Sequence, residues 1–364
     1  MAESVISNMS KIPLFLLPAT QQYNLPGPTQ LALKIFERCK TVQNGGRIYV
    51  CPECGHRKIV YNPCNKRGCP TCGKKNQVQW AIKTKEKLLA IRHYHITISI
   101  PELFTDLWLK YKREVMDSLF AASKEAILSV GEKFGLLLGA LLVFQSHGRG
   151  LSYKPHMHCV LSSGGIDEQG VWHKLPNIPF EIISKTIAQI FREQILKRID
   201  TLDIPIEEDK SVCRRYRVFA TIHDNNAEAI VDYLAKTHHG VSLDISQGIK
   251  KDGTMVEFSE NKNGKVLYTK LTQALFIERY FNHIPPNHSV TTRYCGLYAN
   301  RCKAFMHFVR SQLYLEEPKE KAKFSEICER CHTVLLIEKQ YSRNEVVEFS
   351  HYLQLHGPPE VVAI

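Results

Sequence analysis

The chain has 364 residues, 44% of them hydrophobic and 23% charged, enough to bury a core in two or three domains and too apolar for wholesale disorder. Lysine and arginine outnumber aspartate and glutamate 48 to 36, and this formal charge of +12 favours a polyanionic partner over a cationic substrate. The longest apolar run, Phe134 to Phe144, is interrupted by two glycines and is too short for a membrane span of about 20 residues. The N-terminus has an acidic residue at position 3 and no basic leader before its short apolar stretch, which argues against a secretory signal. A cytoplasmic protein is therefore expected, with its cysteines reduced.

In chain order, residues 1–38 form an N-terminal arm with a helical pattern over Gln30 to Lys40. Residues 39–88 carry the first cysteine motifs and end in KNQVQWAIKTKEKLLA, which has helical periodicity. HYHITISIPELF alternates as a strand stopped by Pro101, and an amphipathic helical region follows from Asp106 to Lys133. Leu141 to His147 and Pro155 to Leu161 read as two strands of a hairpin around HGRGLSYK. A helix is expected over Phe180 to Arg198, and then a strand over Tyr216 to Ile222. The segment NNAEAIVDYLAKTHHG follows as a helix capped by Asn225, with Glu228 three residues on and Gly240 closing it. Residues 241–270 suggest polar hairpins, and residues 264–364 a C-terminal extension. The pattern as a whole predicts an α+β fold, with the catalytic unit over residues 89–263.

In a reducing compartment the spacing of twelve cysteines separates metal ligation from inert burial. Chance predicts about 0.4 pairs spaced by two residues, yet three occur, at Cys51/Cys54, Cys69/Cys72 and Cys328/Cys331. The first two pairs form a C-x2-C-x14-C-x2-C array, with glycine and proline where tight knuckles must turn, and point to one tetrahedral zinc on Cys51, Cys54, Cys69 and Cys72. Cys39 and Cys64 are surplus, and Cys64 is a candidate replacement ligand or a ligand for a second ion. Cys328 and Cys331 lack an obvious second pair, although His351 and His356 follow and offer a Cys2His2 set for a second zinc. Arg47, Lys58, Lys66, Arg67, Lys74 and Lys75 surround the first knuckles as a candidate DNA-contacting surface.

His156 and His158 lie on an alternating strand, so both imidazoles project from one face and can converge on one metal. Sixteen histidines make such doublets common by chance, and His93 and His95 form a rival pair. Gln145 and His147 share parity on the neighbouring strand and are candidates for the third ligand. Tyr233 lies on the following helix, where its phenol can act as a nucleophile toward phosphorus beside a divalent ion, with Lys236 three residues on to steady negative charge.

Five blocks carry a resemblance to a known family: CPECGHRKIVYNPCNKRGCPTCGKKNQVQW, HYHITISIPELF, QSHGRGLSYKPHMHCVLSSGGI, AIVDYLAKTHHG and FIERYFNHIPPNHSVTTRYCGLYA. Over about Cys39 to Tyr298 the chain resembles HUH rolling-circle transposases of the IS91 type, with their N-terminal zinc-binding region. The resemblance implies that His156 and His158 are metal ligands, that Tyr233 is the nucleophile, and that single-stranded DNA at an element's end and target DNA are the substrates. It implies structural Zn2+ and catalytic Mg2+ or Mn2+, no nucleotide cofactor, no membrane partner, and a candidate homo-oligomer. Two-tyrosine members place their second tyrosine where this chain has Thr237, so it looks like the single-tyrosine branch. Gly68 stands where relatives often have a histidine, which favours an all-thiolate zinc set. An HUH replication initiator or relaxase, and a non-catalytic zinc-dependent DNA-binding regulator, are the competing readings.

Overall fold

A computed structural model describes residues 26–100, 103–148, 151–177, 179–201, 219–238, 249–252, 254–262, 265–286, 288–318 and 325–356. The side chains of Lys74, His147, Lys236 and Thr237 lie outside this description, as does Gly240. The fold is α+β, and every strand pairing is antiparallel. The chain forms two compact units, one of residues 1–76, 243–281 and 319–364, the other of residues 77–242 and 282–318. Among the described residues no helix is long and apolar enough to cross a membrane.

The second unit is built on a central sheet of β3 (Arg92–Ser99), β4 (Leu137–His147), β5 (Tyr153–Ile166), β7 (Phe219–Asn226) and β11 (Thr292–Gly296), in the order β11-β4-β5-β3-β7, with β6 (Trp172–Lys174) pairing β5. The expected hairpin is the β4–β5 pair, and both strands are longer than their alternation suggested because the buried centre of a sheet is apolar on both faces. Period-two alternation sorts the side chains. Ile96 and Ile98, Leu142 and Phe144, and Met157 and Cys159 face a core with α4 (Lys112–Glu132) and α5 (Phe180–Thr201). Leu141, Val143 and Val160 face the opposite side, where α6 (Ala227–His238) buries Ile230, Val231 and Leu234.

The cap of α6 is Asn226, whose Oδ1 accepts from the Ala229 N–H at 2.8 Å, one residue later than Asn225 suggested. With two adjacent asparagines, sequence spacing alone does not choose the register. The neighbouring helix α2 (Gly73–Lys87) places Lys85 Nζ 2.7 Å from Asp232 on α6. A further helix of this unit, α3 (Leu103–Lys110), precedes α4, and α8 (Lys303–Gln312) follows β11.

In the first unit, β1 (Gly46–Val50) and β2 (Arg57–Tyr61) form a hairpin, joined on the β1 edge by β12 (Leu336–Tyr341). Beside it, α1 (Gly27–Glu37) and α7 (Gln273–Asn282) meet through stacked rings of Phe36 and Phe281, 5.9 Å apart. A second small sheet, of β8 (Ile249–Asp252), β9 (Met255–Lys262) and β10 (Lys265–Thr272), realises the expected hairpin and packs Phe258 against Phe276 of α7. The last helix, α9 (Val346–His356), buries Phe349 against Tyr341 and Tyr61.

Candidate active site and metal centres

Strand register assembles the histidine cluster. Gln145 lies opposite His156 across β4 and β5, and Thr97 lies opposite His158 across β3 and β5, so alternation turns Gln145, His156, His158 and His95 to the α6 face. His156 donates from Nδ1 to the Lys154 carbonyl at 2.7 Å, which leaves Nε2 as an acceptor. Burial holds its pKa below the ordinary histidine value and favours that neutral form. Nε2 of His158 lies 3.1 Å from Nε2 of His156 and 3.1 Å from Oε1 of Gln145. On its other side, Nδ1 of His158 lies 2.9 Å from Nε2 of His95 and 3.2 Å from Thr97 Oγ1.

Protonation of His158 on Nδ1 therefore turns three lone pairs toward one point. Lone pairs this close repel unless a cation lies among them, and two imidazoles with an amide carbonyl form a donor set that could hold a divalent metal ion. The β4 register shifts between Gln145 and His147, so the two side chains do not occupy equivalent cross-strand positions, and the His147 side chain lies outside the description.

Tyr233 completes the constellation. The α6 stripe of Ile230 and Leu234 is buried, while Tyr233 is 53% exposed, with its ring centroid 6.1 Å from that of His158 and 5.7 Å from that of His95. Its phenol edge is thus open to solvent beside the histidine cluster. The rival pair separates: His95 joins the cluster, whereas His93 is fully buried, bonded to the Ile91 carbonyl and 2.7 Å from Tyr298 Oη. Burial lowers the His93 pKa to about 4, which marks a neutral core histidine.

The cysteines group differently from the quartet read off their spacing. Cys69 and Cys72 meet Cys39 and Cys64, while Cys51 and Cys54 meet Cys328 and Cys331, and in each group all sulfurs lie within 4.8 Å of one another. The correction has a geometric cause: Cys51 directly follows β1, and pairing of β12 with β1 brings the distant Cys328 knuckle alongside it. His351 and His356 lie on α9, in neither group. Cys39, which follows α1 without a spaced partner, carries no sequence signal of its own.

The Cys39/Cys64/Cys69/Cys72 set fits zinc. Cys64 and Cys72 sulfurs are 3.8 Å apart, close to the edge of about 3.8 Å of a tetrahedron with Zn–S bonds of about 2.3 Å. The Cys64 N–H points at Cys39 Sγ and the Lys66 N–H at Cys64 Sγ, both stabilising thiolate charge. Gly68 has φ +75°, a left-handed conformation that favours glycine, and its carbonyl accepts from the buried Tyr280 hydroxyl. In the other set, the Thr333 hydroxyl lies 3.2 Å from Cys51 Sγ and holds that thiol down at about 6.

The basic surface is narrower than the sequence suggested. Lys58 is 6% exposed and paired with Glu326 at 3.1 Å and Glu329 at 3.5 Å, because the Cys328 segment closes over β2. Arg67 is half-buried, whereas Arg47 and Lys75 are exposed and Arg47 bonds Gln340.

A cysteine-rich ribbon beside a unit whose sheet gathers histidines and a tyrosine is the organisation of a transposase with a zinc-binding domain, and comparison with known families agrees. Residues 17–100 match the family model described as transposase zinc-binding domain, and residues 139–305 match that described as putative transposase. Together these cover about two-thirds of the chain, which belongs to the IS91-type transposases. The chain is 26% identical over 308 residues to putative transposase y4qJ of Sinorhizobium fredii, covering 77% of each. It is also 26% identical over 300 residues to the transposase for insertion sequence element IS801 of Pseudomonas savastanoi pv. phaseolicola, covering 77% of this chain and 73% of that one. No solved structure matches.

Proposed function

We propose that this transposase cleaves and rejoins single-stranded DNA through a 5′-phosphotyrosine on Tyr233. The observation that carries the reading is the solvent-open Tyr233 ring 6.1 Å from His158, on a helix packed over the face that gathers His156, His158 and Gln145. Those three side chains would hold a divalent ion, Mg2+ or Mn2+, which when bound supplies Lewis-acid polarisation of a phosphate oxygen.

The chain's own groups do the rest. His156 is oriented by the Lys154 carbonyl, and His158 by His95 and Thr97. The Tyr233 oxygen gives up its proton and attacks phosphorus, the bond from phosphorus to the 3′ oxygen breaks, and that oxygen leaves as a protonated 3′-OH. Because one phosphodiester is exchanged for another, attack by a 3′-OH on the phosphotyrosine reverses the step at target DNA without a nucleotide cofactor. Lys236, one helical turn beyond Tyr233, is assigned to steady charge on the leaving oxygen. The cysteine-rich unit, with Arg47, Lys66, Lys74 and Lys75, supplies phosphate contacts that hold the strand.

The test incubates the protein with a labelled single strand from the ends of its own element and Mn2+, followed by denaturing electrophoresis. A DNA-linked protein band is expected from the wild type and none from Tyr233→Phe, with DNA binding nearly unchanged because one hydroxyl is lost. An undiminished band from Tyr233→Phe overturns the reading.

A further inference from the structure

We infer that Cys51, Cys54, Cys328 and Cys331 form a second zinc site, whose ion clasps the C-terminal segment into the N-terminal ribbon. The first observation is that the two halves of the site are copies of one local structure. In one, Cys51 N–H donates to the His56 carbonyl and Gly55 N–H to the Cys51 carbonyl; in the other, Cys328 N–H donates to the Thr333 carbonyl and His332 N–H to the Cys328 carbonyl. The four bonds lie between 2.8 and 3.0 Å. Gly55 and His332, at the same place in each turn, both take left-handed backbone, at φ +70° and +58°. Few residues other than glycine take that conformation, histidine being among those that do, so the shared φ marks the two turns as the same backbone motif.

The second observation is convergence. Cys54 Sγ lies 3.7 Å from both Cys328 Sγ and Cys331 Sγ, matching the edge of about 3.8 Å expected of a tetrathiolate zinc. Thr333 Oγ1 lies 3.1 Å from Cys331 Sγ and 3.2 Å from Cys51 Sγ, so its single O–H can donate to either thiolate.

The third observation is that the ribbon is shaped to receive β12 and has little else to hold it. Gly45, at φ +73°, leaves room for the Tyr341 carbonyl, which a Cβ there would meet at 2.4 Å, and a Cβ on Gly46 would meet the Phe349 ring at 2.8 Å. Arg57 grips Glu338 with two bonds, of 2.8 and 2.9 Å, and Lys58 reaches Glu326 and Glu329. Yet five of the six residues of β12 are exposed, and the buried apolar groups on this sheet are two sets of four, Tyr49, Cys51, Cys328 and Leu335 beneath the knuckles and Ile48, Ile59, Tyr341 and Phe349 against α9. An apolar core this small rarely holds a three-stranded sheet, and a structural zinc commonly supplies the missing folding energy. The ligand pairs are separated by 273 residues, so the ion acts as a long-range cross-link that closes one compact unit from both ends of the chain.

The experiment uses the full-length protein, purified under reducing conditions, with zinc and iron counted by plasma mass spectrometry. Two zinc ions per chain are expected in the wild type and one in Cys328→Ser/Cys331→Ser. Cys331→His, which restores a fourth ligand, is expected to keep two, and Cys302→Ser, outside both clusters, is a control that also keeps two. Hydrogen exchange is expected to accelerate at Gly46–Val50 and Leu336–Tyr341 in the double serine variant and to stay slow in Cys331→His. One zinc in the wild type, two retained by the double serine variant, iron in the second site, or unchanged exchange on loss of the thiols would each overturn the proposal. Because DNA cleavage is not the readout, the outcome is independent of the Tyr233 assignment.

Discussion

Nε2 of His95 lies 2.9 Å from Nδ1 of His158, so a residue on β3 sets which nitrogen of its β5 neighbour faces Gln145 and His156. Partners that orient a ligating imidazole typically contribute about 10–100-fold to metal affinity. His95→Ala is accordingly expected to raise the Mn2+ concentration for half-maximal strand cleavage by about one to two orders of magnitude, with the plateau rate reduced less. A titration of cleavage against Mn2+ checks this. An unchanged midpoint would show that Thr97, 3.2 Å from the same nitrogen, suffices to fix the tautomer.

Lys58 and Arg47 are both cations of the ribbon, but their environments predict opposite phenotypes. Lys58 is buried against Glu326 and Glu329, so Lys58→Ala strands carboxylates and is expected to cost about 2–3 kcal/mol of stability, with little change in the salt dependence of DNA binding. Arg47 is exposed, and Arg47→Ala is expected to leave the melting temperature alone while lowering the slope of log affinity against log salt by about one. Thermal melts beside salt-dependent DNA titrations separate the two, and a lowered salt slope for Lys58→Ala would show that it contacts phosphate.

His93 ties the sheet to the segment after β11 through Tyr298, and its pKa of about 4 has a consequence for acid stability. The unfolded chain takes up a proton on this residue near 6.5, the folded chain only near 4, so between those values the unfolded state holds the extra proton. Stability is therefore full above about pH 6.5, falls as pH drops toward 4, and loses roughly 3 kcal/mol to this residue across the window. His93→Gln retains a hydrogen-bonding side chain without the titration, and its stability measured by denaturant melts between pH 7 and 4 is expected to be flatter. A slope equal to the wild type would assign acid sensitivity to other groups.

The elements that dominate a local window were legible in the sequence. The alternation in HYHITIS and PHMHCVL carries strand and face together, and the punctuation of NNAEAIVDYLAKTHHG places Tyr233 on a helix, although only the structure shows it exposed beside the buried Ile230 and Leu234. The cysteine partners were not legible. A CxxC spacing specifies a knuckle but not which knuckle it meets, and that choice is made by β12 pairing with β1, a contact across almost 300 residues. Lys58 was misread for the same reason: nothing within its own window marks the carboxylates that bury it. His95 stood in the sequence as half of a rival doublet, and only register shows that its two histidines have different work, one beside His158 and one beneath Tyr298.

Gly296 offers a test of how that buried support is transmitted. It ends β11 at φ +58°, and a Cβ there would meet the Leu138 carbonyl at 1.9 Å and the Leu128 side chain at 3.0 Å. Alanine faces both a left-handed backbone and a collision with a backbone atom that cannot swing aside, because the Leu138 carbonyl is held by the Leu297 N–H at 3.0 Å. Relief requires β11 to move off β4 and to draw Leu297 and Tyr298 with it. Gly296→Ala is expected to cost about 2–4 kcal/mol. Since the same movement breaks the Tyr298–His93 contact, its cost should be less than additive with that of His93→Gln, with a coupling of about 1 kcal/mol in a double-mutant cycle. Additive losses would mean that the turn adjusts locally and that Tyr298 keeps its place over His93.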